Sequence, residues 1–161
     1  MIEAHDGDWD SLHMLATIER DGDGIRFGTM AALDPAIDPD LYPAMIGGIA
    51  AKAAADGNPP YALFLQIEAF GAQVPPEDAP GWEQDKFDAD RSNRTIHARP
   101  DAVEAVWAWV VDVHGQTWCA KKVRGKEDVI EESFYPAGST DIGGNMPQAM
   151  HDSLKAVGSA G

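Results

Sequence analysis

Asp101-Ala102-Val103-Glu104-Ala105-Val106-Trp107-Ala108-Trp109-Val110-Val111-Asp112-Val113 decides the fold, because it satisfies two templates at once. Val103, Val106, Trp107, Val110 and Val111 recur at helical spacing, whereas Val103, Ala105, Trp107, Trp109, Val111 and Val113 alternate as a strand does. Periodicity does not separate the two. Enrichment in valine and tryptophan, the His114-Gly115 turn and the following Thr117-Trp118-Cys119-Ala120-Lys121-Lys122-Val123 favour a hairpin, since β-branched and aromatic side chains pack well on a pleated surface. Trp107, Trp109 and Trp118 are then expected on one hairpin face, inside the core.

Working outward, Tyr61-Ala62-Leu63-Phe64-Leu65-Gln66-Ile67-Glu68-Ala69-Phe70 is apolar on both alternating faces, as a central strand covered on at least one side would be. Before it, Asp38-Pro39-Asp40 opens an alanine-rich helix that ends at Asp56-Gly57-Asn58-Pro59-Pro60. Gly47-Gly48 within this helix predicts close packing of that face on a sheet. Ser11 to Ile18 and Ile25 to Met30 read as strands joined by the Asp21-Gly22-Asp23-Gly24 turn. Residues 71–92 contain Pro75, Pro76, Pro80 and many acids and read as a surface loop of about 20 residues, a length that is often functional. Asp128 to Phe134 adds a strand, Gly138 to Gly144 a loop and Pro147 to Val157 a closing helix. The expectation is one α+β domain over 1–157 with a frayed tail at 158–161. Its mostly antiparallel sheet has two hairpins plus a central strand, with one main helix and a C-terminal helix packed on it.

The 161 residues carry 27 acids against 12 bases, a formal charge of −15. Direct binding to nucleic acid or to an anionic membrane is therefore disfavoured. Residues 1–80 hold fourteen acids and three bases, so one half is nearly a polyanion. Seven bases fall in two stretches, Arg91, Arg94 and Arg99, then Lys121, Lys122, Arg124 and Lys126. They read first as strands paired with acidic neighbours. No apolar run approaches the roughly 20 residues of a membrane span, and the opening Met1-Ile2-Glu3-Ala4-His5-Asp6 lacks the basic start of a signal peptide, so a cytoplasmic protein is expected.

Motifs for chemistry are sparse. The single Cys119 makes no internal disulfide and sits in a strand-like stretch. Glu19-Arg20-Asp21-Gly22-Asp23-Gly24 has the acid spacing of half a calcium loop, yet Met30 stands where the twelfth, bidentate ligand belongs, so a hairpin turn is the better reading. His5, Asp6, Asp8 and Asp10 form only a terminal cluster. Zincin, nucleophile-elbow and phosphate-loop patterns do not occur in the sequence, and no metal or cofactor is expected. Two candidate sites remain. Arg94, His97 and Arg99, with His97 and Arg99 on one strand face, would hold an anionic substrate and move a proton. Trp82 and Glu83, in the acidic loop, would anchor a partner protein, since tryptophan is enriched among interface hot spots.

Trp9-Asp10-Ser11-Leu12-His13-Met14-Leu15, the apolar strand after an alanine-rich helix, and Trp107 through Trp118 with Asp112-Val113-His114-Gly115-Gln116-Thr117 resemble small acidic proteins of unknown function from actinobacteria and their phages. The resemblance covers the chain in outline and implies no reaction and no catalytic residue. A phage origin would fit proteins that bind and redirect host components. The favoured expectation is a non-enzymatic binding protein that engages a host or partner protein through its acidic surface and the 71–92 loop. The alternatives are an enzyme on small anionic substrates and a DNA mimic, the latter opposed by acids gathered in turns and termini. An exposed edge strand also leaves room for a homodimer, which the net charge opposes.

Overall fold

A computed structural model describes residues 13–126, 128–139, 142 and 145–159. Strands β1 (His13–Asp21) and β2 (Gly24–Leu33) lead into helix α1 (Tyr42–Ala55), strand β3 (Ala62–Gly71) and helix α2 (Gly81–Ser92). Strands β4 (Val103–Asp112), β5 (Thr117–Val123) and β6 (Ile130–Tyr135) follow, and helix α3 (Met146–Ser159) closes the described chain. Short 3-10 turns occupy Pro39–Leu41 and Ile96–Ala98. All six strands form one antiparallel sheet in the order β2-β1-β3-β4-β5-β6. The fold is α+β, with α3 at its C-terminal end.

The ambiguous stretch is a strand because it pairs on both sides, Leu65 with Trp109 on β3 and Trp109 with Cys119 on β5. Its two apolar parities serve two faces. On one face, Leu15, Leu63, Leu65 and Val111 meet Ile46 and Ile49 of α1 and Met150 and Leu154 of α3 in the larger core. On the other, Ala16, Ile18, Ala62, Phe64, Val106 and Ala108 form a second cluster built by strand residues alone. Trp107 and Trp109 stack side by side on the helix-covered face, 5.9 Å apart. Trp118 does not join them, contrary to the single-face expectation. It pairs with Val110, and strand alternation sends it to the opposite side.

Two local devices set the first hairpin. Gly22 takes φ +59°, the left-handed conformation the tight turn needs. Further along, Ala16 pairs with Met30 but Ile18 pairs with Phe27, so Gly28 and Thr29 stand opposite Thr17 alone. This is a β-bulge. The buried Thr17 hydroxyl accepts the Thr29 N–H at 2.9 Å. A Cβ on Gly28 would lie 2.2 Å from Glu19 Oε1 and 2.6 Å from Thr17 Oγ1, so any other residue there must displace one of these side chains.

Asp38 caps the turn before α1, accepting the Asp40 N–H at 3.0 Å, and Pro43 falls in the first helical turn, where its missing N–H costs nothing. The glycine pair does not seat α1 on the sheet as expected. Gly47 faces Ser153 of α3, whose Oγ lies 3.7 Å from where a Cβ would stand, and Gly48 has open space before it. Small residues here let two helices approach side by side. At the C-terminus, α3 runs on to Ser159, past the predicted limit at Val157, so Gly158 and Ser159 belong to the helix. Residues 160 and 161 lie outside the described residues, as do the His5–Asp10 cluster and Trp9.

Candidate binding surface

The segment between β3 and β4 carries all the residues predicted to act. Its second half is not a loop: Gly81–Ser92 forms α2, with Pro80 as its N-cap, Glu83 in the first turn and Arg91 in the last. Only Phe87 is buried, so the helix lacks the apolar period by which a sequence announces one. Asp90 accepts the Thr95 N–H at 2.8 Å and Arg91 accepts the Arg94 N–H at 3.2 Å, the bonding of a Schellman stop. Arg94 therefore sits at φ +59°, a position usually held by glycine.

Arg94 reaches Asp38 at 2.9 Å and Asp40 at 2.6 Å, which ties the end of α2 to the entry of α1. The Asp40 backbone N–H, followed by Arg94, holds the Asp38 carboxyl below the ordinary carboxylate range. Arg99 lies between Asp101 (2.9 Å) and Asp90 (3.0 Å), with its guanidinium 5.3 Å from the Phe87 ring centre. Asp101 and then Asp90 raise the Arg99 pKa, and Arg99 in turn lowers that of Asp101. Residues 96–98 form a 3-10 turn, so His97 and Arg99 do not share a strand face. His97 is exposed, its ring 6.0 Å from that of Phe70. Each guanidinium is thus matched by two carboxylates of its own chain, and the anionic-substrate arrangement is not assembled here. Trp82, by contrast, is 65% exposed on the first turn of α2, with Glu83 half-buried beside it.

The second cationic stretch also pairs inward. Lys121 meets Glu131 at 2.6 Å and Arg124 meets Glu104 at 2.6 Å. The Lys121 ammonium lowers the Glu131 pKa, first by its hydrogen bond and then by its charge. Cys119 lies half-buried on β5, and burial raises its thiol pKa, the setting of an inert cysteine. Among the described residues, no group of three or more His, Cys, Asp or Glu side chains is placed to hold a metal. Glu19 to Gly24 is the hairpin end and turn, with Glu19 held by Arg26 at 3.0 Å.

The larger feature is the sheet face away from α1 and α3. Register places Met30, Ala16, Phe64, Val110, Trp118 and Phe134 in one row across the strands, with Phe27 on the same face in the neighbouring row, opposite Ile18. Phe27 meets Phe64 edge to face at 5.7 Å, and Trp118 meets Phe134 at 5.2 Å. Packing does not hide them: Phe27 is 45%, Trp118 42% and Phe134 51% exposed, with Met30 at 50% nearby. Between Trp118, Phe134 and the small Ala108 and Ala120 runs a groove of about 450 Å³. No family model, curated protein or solved structure matches the chain.

Sequence reasoning missed this surface, although the signal was present. Residues 62–67 and 105–111 are apolar at both parities, which asks for cover on two faces. Two helices of about 10 Å diameter cover only one face of a six-stranded sheet about 24 Å across. Something apolar had to stay in view. No helix among the described residues is long and apolar enough to cross a membrane.

Proposed function

We propose that this chain is a non-enzymatic binding module that docks a partner protein on the helix-free face of its sheet. The exposed Phe27, Trp118 and Phe134 on this one face carry the reading, because aromatic side chains left in water on one sheet face are what interface cores are made of. The chain's charge of −15 and the acids of the Asp21–Asp23 hairpin tip favour a partner with a basic rim around an apolar centre. The same charge opposes a second copy as the occupant. A phage-encoded protein acting on a host component fits this reading. Trp82 and Glu83 on α2 offer a second surface, favoured by the exposure of that tryptophan.

Affinity capture with the wild type, a Trp118→Ser/Phe134→Ser variant and a Trp82→Ala/Glu83→Ala variant tests the proposal. One stoichiometric partner with a basic surface, lost only in the first variant, supports docking on the sheet face. Loss only in the second moves the site to α2. No partner with any protein, or sedimentation as a dimer that Trp118→Ser/Phe134→Ser dissociates, overturns the proposal.

A further inference from the structure

The two edges of the sheet are built differently. At β2 the ladder is broken by the bulge at Gly28 and Thr29. A bulge makes an edge a poor template for another strand. At β6, six consecutive residues pair one for one with β5, from Lys122 with Ile130 to Thr117 with Tyr135, with no shift. Ile130–Tyr135 contains no proline, glycine or lysine, and its length is that of an ordinary strand. Its four central residues are exposed, and among the described residues no backbone hydrogen bond reaches its outer side.

We propose that the outer edge of β6 takes an extended, basic segment of a partner protein as a further strand. This deepens the binding-module reading and rests on it. Charge selects the occupant. Glu131 and Glu132 project to opposite faces of the edge; Glu131 is held by Lys121 at 2.6 Å, so Glu132 is the carboxylate that a basic residue of an added strand meets, whereas a second copy brings glutamates and another −15 against it. Like charges directly opposite on paired strands are destabilising. Beyond the acids, Phe134 stands beside Trp118 on the helix-free face, and an apolar residue opposite it lengthens the aromatic row. Main-chain bonds thus supply the pairing, and Glu132 and Phe134 supply its selectivity.

The test titrates isotope-labelled protein with acetyl-Thr-Val-Thr-Lys-Arg-Val-amide and follows backbone amides by NMR. The expected result is shifts and slowed exchange centred on residues 130–135, with no response to the same peptide carrying Glu-Glu for Lys-Arg. Glu132→Lys, an exposed substitution that the fold tolerates, is expected to weaken binding of the basic peptide about tenfold and to admit the acidic one. A backbone N-methylated basic peptide keeps the side chains but not the pairing and is expected not to bind. Equal binding of the N-methylated peptide, equal binding of both charge types, or shifts centred elsewhere overturns the inference. So does concentration-dependent protection of the same amides without peptide, which reports a second copy. If no peptide binds while Trp118→Ser/Phe134→Ser still loses its captured partner, the edge inference falls and the binding-module reading stands.

Discussion

Leu63→Ala and Phe134→Ala remove apolar side chains from opposite faces of one sheet, and the difference between them measures whether the helix-free face is open in solution. Leu63 is 0% exposed between α1, α3 and the sheet, so its truncation loses full transfer energy and leaves a cavity, about 3 kcal/mol. In a domain of this size that lowers Tm by roughly 6–12 °C. Phe134 is already 51% exposed. Half of a phenylalanine's burial energy is about 1 kcal/mol, and the Trp118 contact adds about 0.5 kcal/mol, so Phe134→Ala should lower Tm by roughly 3–6 °C. Thermal unfolding of both variants by circular dichroism at several protein concentrations decides the matter. Equal losses, or a Phe134→Ala effect that grows with concentration, would mean that the face is covered in the free protein and would refute the reasoning.

Three further outcomes follow from local geometry. Gly28→Ala forces its Cβ into Glu19 and Thr17, freeing either the Arg26 ion pair or the Thr29 N–H, and should cost about 2 kcal/mol in urea unfolding, whereas Gly48→Ala, with open space before it, should stabilise α1. Asp112→Ala strips the buried acceptor from the His114 and Gln116 amides at 3.0 and 2.9 Å and should cost about 2–3 kcal/mol, with Asp112→Asn between it and the wild type. His13 is buried under α1, bonded through Nδ1 to the Tyr42 hydroxyl. Burial lowers its pKa below the ordinary imidazole value of 6.5, against the Glu68 backbone and Asp34, which raise it. The unfolded chain therefore binds the proton more readily, so the contribution is complete above pH about 6.5 and is lost as pH falls below it. Urea unfolding between pH 8 and 5 should show a steeper fall for the wild type than for His13→Asn, and parallel curves would contradict this.

The sheet was legible where turns and β-branched runs agreed, as at Asp21–Gly24 and from Val103 to Val123. It was less so where one side chain carried an element. α2 has a single buried anchor, Phe87, and its helix is closed by polar contacts such as Arg99 with Asp90, which have no period to detect. Arg94, His97 and Arg99 were visible as a basic cluster, but spacing along the chain does not reveal that Asp38 and Asp40, more than fifty residues upstream, take up the Arg94 charge. Trp118 was placed on the wrong face because the β4–β5 register, not composition, assigns it: pairing with Val110 turns it away from Trp109. The aromatic row exists only once six strands are set side by side. Phe27 and Phe134 are 107 residues apart in the chain and share a face solely through that order.

The central claim is that a partner docks on the helix-free face, and photo-crosslinking tests it most directly. A benzophenone side chain placed at Phe134 should give one major adduct with a partner protein, and the same group at the exposed Pro43 on α1 should give none. Adducts at position 43 or 82 but not at 134, or an adduct at 134 with a second copy of the chain, would contradict the account.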